Sequence, residues 1–136
     1  MIVALFLIAQ VIPYGRAHTN PPVVAEPAWD SPATRALAKR ACFDCHSNET
    51  TWPWYSHVAP TSWFLQSHVD DGRERMNFSE WNKPYRAASR SGREVRNGGM
   101  PLWSYLLMHP DARLSDAEKL ELARGLDATL GSAEPR

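Results

Sequence analysis

The feature that most constrains this chain is the pentapeptide Cys42-Phe43-Asp44-Cys45-His46, which contains both of its cysteines. A chain of 136 residues with two cysteines cannot be a scaffold held together by many disulfides. If the pentapeptide is helical, positions i, i+3 and i+4 share one face, so that Cys42, Cys45 and His46 can all point at one object. A core as small as this one often depends on a cofactor or a covalent link.

The order C-x-x-C-H is the attachment signature of a c-type haem. Two thiols at this spacing can reach the two vinyl groups of one porphyrin edge, and the adjacent imidazole then lies under the iron. The sequence therefore predicts one covalently bound haem c, attached to Cys42 and Cys45, with His46 as the proximal iron ligand.

Two other kinds of site use closely spaced cysteines. A structural or thioredoxin-like disulfide leaves His46 unexplained, and the βαβ pattern of thioredoxins is absent from the sequence. A zinc site needs a fourth ligand and usually a second close pair of ligands. The remaining histidines are instead scattered, at His18, His57, His68 and His109. Haem c therefore explains more of the sequence than either alternative.

The segment Gly98-Gly99-Met100-Pro101 is expected to form a loop that supplies the sixth iron ligand. Glycines let a loop approach a flat ligand closely, and Pro101 stiffens the residue that would present a thioether to iron. Met100 is therefore the candidate distal ligand. Its rivals are His57, His68 and His109. A His/Met pair tends to raise the reduction potential relative to two histidines.

Residues 1–15 contain the uncharged, mostly apolar run Ile2–Ile12, which ends at Pro13. A spanning helix needs about 20 apolar residues, whereas the apolar part of a secretory signal needs about 7–15. We therefore expect an export segment or an uncleaved signal anchor; the alternative is a buried helix of the domain. Export agrees with haem c, because the thioether links form outside the bacterial cytoplasm.

The rest of the chain divides into three parts. Residues 16–28 are rich in proline, which favours an extended linker that lifts the domain off a membrane. Residues 29–131 are expected to form the haem-binding cytochrome domain, and residues 132–136 a polar tail with nothing to bury.

Helix signals dominate the domain. Ser31 followed by Pro32 predicts a helix that leads into the cysteine pair, and a second is expected from just after Pro60 to Gly72 or slightly beyond. A third is expected from Ser79 to the Gly98-Gly99 pair. No segment has the alternating pattern of a strand. The predicted fold is therefore all-α, a small cytochrome c-like helical domain around one haem.

A fourth helix is predicted by the capping box Ser115-x-x-Glu118 and ends at Gly131. Apolar residues recur along it at intervals of three or four, which is typical of a helix. They are Ala117, Leu120, Ala123, Leu126 and Leu130.

The charges cancel, since 15 Lys and Arg stand against 15 Asp and Glu. This balance excludes a strongly electrostatic nucleic-acid binder. Five basic residues recur along the predicted third helix, either as a solvated face or as a docking patch for an acidic redox partner or anionic lipid. They are Lys83, Arg86, Arg90, Arg93 and Arg96.

Taken together, several stretches resemble the bacterial haem-binding domain family of small mono-haem c-type cytochromes. They are Cys42-Phe43-Asp44-Cys45-His46-Ser47, Thr51-Trp52-Pro53-Trp54-Tyr55-Ser56, Pro60-x-Ser62-Trp63, Gly72-Arg73, Asn77-Phe78-Ser79-x-Trp81, Gly99-Met100-Pro101, Tyr105, His109-Pro110 and Leu114-Ser115. The resemblance implies a compact helical domain with Cys42 and Cys45 as attachment points, His46 as proximal ligand and Met100 as distal ligand. Members of the family usually begin with a basic leader and a longer apolar anchor, from which the start of this sequence departs.

The function expected from these features is electron transfer by a cytochrome that is not an enzyme. We expect it in the periplasm, anchored to the inner membrane by its N-terminal segment. Its partners would be redox proteins, such as a membrane respiratory or photosynthetic complex, and no nucleic acid. One alternative is gas sensing or peroxidase-like chemistry at five-coordinate iron, with His57 or His68 as the distal acid-base group. Another is an accessory subunit that wires electrons within a membrane complex.

Overall fold

The computed structural model describes residues 1–131, which contain seven α-helices and no strand. The prediction of an all-α fold is thus confirmed for this part of the chain. The helices are α1 (Ile2–Ala9), α2 (Pro32–Ala41), α3 (Phe43–His46), α4 (Thr61–Arg75), α5 (Ser91–Arg96), α6 (Trp103–Met108) and α7 (Asp116–Leu130). Short 3-10 turns lie at Trp54–His57, Ala88–Arg90 and Pro110–Ala112.

The predicted starts of α2 and α7 are confirmed by their caps. The Thr34 N–H donates to Ser31 Oγ over 3.1 Å at the start of α2. At the start of α7, the Glu118 N–H donates to Ser115 Oγ over 3.2 Å, and the Ser115 N–H donates to Glu118 Oε2 over 2.8 Å. Both caps satisfy backbone donors that would otherwise lack a partner in the first turn. The predicted extent of α4 is also confirmed, because that helix continues to Arg75.

The core lies where α2, α5 and α7 pack around two phenylalanines that follow α2 and α4. The rings of Phe43 and Phe78 stack 5.5 Å apart, and Trp29 covers Phe78 at 5.1 Å. Of the apolar series along α7, Ala123 and Leu126 are buried, whereas Leu120 is 49% exposed; Leu122, outside the series, is also fully buried. Two glycines allow close packing at α7: Gly125 lies against Thr34, and Gly92 of α5 lies against Ala123.

The predicted third helix is much shorter than expected, because α5 begins only at Ser91. Ser79 does not cap a helix. It is buried, its Oγ accepts from the Asn48 N–H over 2.9 Å, and its N–H donates to Asn77 Oδ1 over 2.9 Å. Because the hydroxyl is used in the long-range bond to Asn48, it is not available to cap a helix. Pro84 also disfavours helix in the residues before α5.

The basic stripe is therefore not one helix face. Lys83 and Arg86 lie in the turns before α5. Lys83 pairs with Glu80, and Arg96 Nη1 donates to Asp127 over 2.7 Å. The first half of this segment is not α-helical, so residues three and four positions apart do not share a face there.

The N-terminal helix α1 has no buried residue, so the alternative of a buried domain helix is wrong. Its C-terminal end is held by Gln10, whose Oε1 accepts from the Ala59 N–H over 3.0 Å and whose Nε2 donates to the Ala59 carbonyl over 2.9 Å. Within residues 1–131, no helix combines the length and the apolar character that crossing a membrane requires.

The proline-rich segment has no helix, but it lies along the domain instead of standing away from it. Asn48 Nδ2 donates to the Pro22 carbonyl over 3.0 Å, and the Val24 N–H donates to the Ser79 carbonyl over 2.8 Å. The Trp81 N–H donates to the Ala25 carbonyl over 2.9 Å. The expected linker is thus bonded to the folded unit. The predicted polar tail, residues 132–136, lies outside the described residues.

Candidate functional site

The pentapeptide is a helical turn, as the sequence predicts. The N–H groups of Cys45 and His46 both donate to the Cys42 carbonyl, over 3.2 and 2.9 Å. Phe43 is inserted into the core and is 2% exposed, which fixes the rotation of α3. Cys42, Cys45 and His46 are thereby brought to one cavity of about 240 Å³.

This central cavity lies between α3, α4 and the loop before α6, and its lining is mostly apolar. It is lined by Ala41, Cys42, Asp44, Cys45, His46, His68, Asp71, Gly72, Arg75, Met100, Pro101, Leu102 and Tyr105. A cavity of about 320 Å³ towards α5 shares Cys42, His46 and Met100 with it. A cavity of about 190 Å³ towards α6 shares Cys45 and Tyr105. Space for a large apolar ligand therefore surrounds the cysteine pair.

The imidazole of His46 is held in the orientation that a metal ligand needs. Its Nδ1 lies 2.9 Å from the Gly72 carbonyl and 3.0 Å from the Met76 carbonyl, so Nδ1 carries the proton and donates. Burial lowers the pKa of His46, which favours the neutral ring. The lone pair is then on Nε2, and second partners of this kind fix the tautomer of ligating histidines.

Gly72 allows α4 to approach α3 closely enough for these bonds. A Cβ at Gly72 would overlap the carbonyl of Cys45. Sequence reasoning placed Gly72 near the end of this helix but gave it no part in the site, whereas it lies where α4 crosses α3. The missing side chain thus allows the close approach that places Cys45 and His46.

The two thiols are free and mainly protonated at neutral pH. Burial raises the pKa of Cys42 to about 12, and burial together with the charge of Asp44 raises the pKa of Cys45 to about 11. Reactive thioredoxin-like cysteines have lowered pKa values, so this environment argues against that alternative. Within residues 1–131, no group of three or more His, Cys, Asp or Glu side chains is arranged to hold a metal ion.

Met100 lies in a loop, as predicted, immediately after α5. Gly98 has a φ of 74°, a conformation suited to glycine after a helix end. The N–H groups of Gly99 and Met100 both donate to the Glu94 carbonyl, over 2.9 and 3.1 Å. These bonds hold the loop so that Met100 lines the central cavity together with His46.

The three rival histidines lie in different places. His68 of α4 lines the central cavity, and its ring packs edge-on against Phe64 at 4.2 Å. His109 lines only the cavity towards α6, where its Nε2 lies 3.1 Å from the Tyr55 hydroxyl. His57 packs against His18 at 4.4 Å and is not among the residues that line these cavities. Met100 and His68 are therefore the two candidates that share the central cavity with His46.

An aspartate inside the pentapeptide ties it to α6, a contact that sequence reasoning missed. The Tyr105 hydroxyl donates to Asp44 Oδ2 over 2.6 Å, while Asp44 Oδ1 accepts from the Thr51 N–H over 2.9 Å. Burial, together with the hydrogen bond to Asp44, strongly raises the pKa of Tyr105. No local spacing connects positions 44 and 105, so only the fold reveals the pair.

Replacing Tyr105 by phenylalanine removes the hydrogen bond to Asp44 Oδ2, while the bond from the Thr51 N–H still holds the Asp44 carboxylate. The free energy of unfolding is expected to fall by about 1.5 kcal/mol, the lower range for hydrogen bonds to charged groups. Chemical denaturation of the holoprotein measures the change. Tyr14→Phe is the control, because the Tyr14 hydroxyl is exposed and 3.5 Å from Asp70. An equal effect of both variants would contradict the role of the Asp44 contact.

Comparison with known proteins identifies the family of the chain that carries this site. A family model described as a haem-binding domain matches residues 4–128. The chain belongs to the haem-binding domain family. No curated protein and no solved structure matches the chain. The residues present fit a haem. The adjoining cavities are mostly apolar, and their lining includes two thiols, an imidazole with its Nε2 available and a thioether.

Proposed function

We propose that this haem-binding domain is a mono-haem c-type cytochrome that carries single electrons. Cys42 and Cys45 would hold the haem through thioether bonds, His46 would be the proximal ligand and Met100 the distal ligand. The observation that carries the proposal is the meeting of these four side chains at one cavity. When bound, the haem supplies a one-electron couple between Fe(III) and Fe(II).

The chain's own residues would bind and tune this group. The carbonyls of Gly72 and Met76 keep His46 Nδ1 protonated and Nε2 available as a ligand atom. The backbone bonds of residues 99 and 100 to the Glu94 carbonyl hold the loop from which Met100 would present its thioether. The apolar lining limits access of water, which disfavours the more highly charged oxidised state.

The chemistry of haem attachment and the exposed apolar residues of α1 support a proposal for the cellular setting. A domain that carries thioether-bound haem would act in the periplasm, and the exposed apolar side chains of α1 would anchor it to the inner membrane. Its partners would be redox proteins, including a membrane respiratory or photosynthetic complex. Recovery of a stable complex from solubilised membranes would favour an accessory electron-wiring subunit over a free-standing carrier.

One observation favours a second candidate function. His68 shares the central cavity with His46 and has no hydrogen-bond partner among residues 1–131. If Met100 did not bind the iron, His68 could serve as a distal acid-base group for gas sensing or peroxidase-like chemistry. Rapid carbon monoxide binding by the wild-type protein is the expected result under this candidate and contradicts the electron-carrier proposal.

Replacing Met100 by alanine tests the distal ligand directly. The midpoint potential is expected to fall by on the order of 0.1 V or more, because the thioether stabilises Fe(II). The absorption band that reports a sulfur-iron bond is expected to disappear, as judged from spectra of the oxidised protein. Met108→Ala is the control, since Met108 is 58% exposed on α6 and lines only the cavity towards α6, not the central cavity. If the spectrum of Met100→Ala is unchanged and His68→Ala alters it, His68 is the distal ligand.

A further inference from the structure

Two arginines lie at the edge of the apolar cavities. Arg75 is the last residue of α4 and lines both the central cavity and the cavity towards α5. Arg90, just before α5, lines the cavity towards α5. Neither belongs to an ion pair within residues 1–131. Two guanidinium groups without a carboxylate partner thus border a space that is otherwise largely apolar.

Arg75 marks the boundary between that space and the surface. It also lines an open polar groove of about 500 Å³, which we call the rim groove; the others there are Asp71, Glu74, Pro84, Tyr85, Arg86 and Ala87. A path from His46 to solvent on this side therefore passes Arg75. A ligand with an apolar body and a charged end would place the charged end at this boundary, where the charge remains solvated.

The chain's own acids do not neutralise these arginines. Asp71 lines both the central cavity and the rim groove, Glu74 lines the rim groove and Glu94 lines the cavity towards α5. None of these carboxylates comes within 4.0 Å of either guanidinium. Arginine presents a planar fork of donors that matches a carboxylate in bidentate geometry. The position and the chemistry both point to a carboxylate ligand at the edge of the apolar space.

We propose that Arg75 and Arg90 bind the propionate carboxylates of the haem. The inference rests on the haem-binding function proposed above and adds the residues that hold the polar edge of the group. The two cations would offset the negative charge of the propionates. They would thereby raise the reduction potential, because a less negative surrounding disfavours Fe(III).

The test compares two double variants of the haem-loaded protein with equal change of charge. Arg75→Gln/Arg90→Gln removes both proposed contacts, whereas Arg93→Gln/Arg124→Gln removes two exposed cations that line none of these cavities. Resonance Raman spectra report the propionate bending band, and redox titration reports the midpoint potential. We expect the band to shift and the potential to fall clearly further in the first variant than in the second.

An unchanged propionate band in Arg75→Gln/Arg90→Gln, or an equal shift in the control, would overturn the inference. Arg75→Lys/Arg90→Lys covers the case in which the glutamine variant does not fold. It keeps the charge and removes the planar fork, so we expect a shifted band with a nearly unchanged potential; an unshifted band would count against the proposal. Wild-type protein without haem would instead refute the proposed function itself.

Discussion

Replacing both Cys42 and Cys45 by alanine is expected to abolish covalent haem retention completely. The two thiols are the chain's only cysteines, and both line the central cavity beside His46. Without them no thioether can form, and His46 with Met100 would hold the group only by reversible coordination. Haem staining after denaturing electrophoresis and the mass of the intact protein measure the loss. The wild-type protein and the double variant should both be produced in a host competent in cytochrome maturation.

The single variants Cys42→Ala and Cys45→Ala provide the matched controls. Each keeps one thiol at the cavity, so each is expected to keep one covalent link and to shift the alkaline pyridine spectrum towards that of an unsaturated side chain. Wild-type protein whose haem can be extracted by acidic solvent would refute covalent attachment and leave haem binding itself intact. Wild-type protein that is colourless, with both thiols free, would refute the whole site.

Local spacing predicted the parts of this molecule that depend on neighbouring residues. The helical turn at Cys42–His46, the cap at Ser31 and the capping box at Ser115 each involve residues within four positions of one another. A hydrogen bond over such a short separation needs no knowledge of the fold. The loop at Met100 belongs to the same class, because its glycines and Glu94 are close in sequence.

Features that depend on distant contacts were predicted poorly. Ser79 has the residue type of a helix cap, yet its hydroxyl binds the Asn48 N–H, 31 positions away. The partner of Asp44 is Tyr105, 61 positions away. On α7, helical periodicity was correct and Ala123 and Leu126 are buried, but Leu120 is exposed and the buried Leu122 lies outside the series. Tertiary packing overrides local preference in all of these cases.

Arg73 shows how such distant contacts support the site. Its Nε donates to the Ser47 carbonyl over 2.8 Å, and its Nη1 donates to the Thr19 carbonyl over 2.9 Å. Nη2 lies 3.0 Å from Thr50 Oγ1. One side chain on α4 thus ties together the segment after the pentapeptide and the proline-rich segment. Sequence reasoning noted Arg73 only as part of a family motif and had no signal for these partners.

Gly72→Ala is expected to lower the free energy of unfolding by about 3 kcal/mol, the upper part of the usual range for overpacked cores. The added Cβ would overlap the carbonyl of Cys45, a backbone atom that cannot move aside as a flexible side chain can. Alanine is the better helix former, so a loss of stability cannot come from intrinsic propensity. Chemical denaturation of the haem-loaded protein measures the effect.

The same substitution should also change the iron site, because the Gly72 carbonyl accepts from His46 Nδ1. Moving α4 away from α3 would lengthen that bond, weaken the orientation of the imidazole and alter the spectrum of the haem. Glu74→Ala is the control on the same helix, since Glu74 is exposed and its loss should change stability by less than about 0.5 kcal/mol. If Gly72→Ala unfolds like the control and keeps the wild-type spectrum, then close approach of α4 to the pentapeptide is not what positions His46, the proposed proximal ligand.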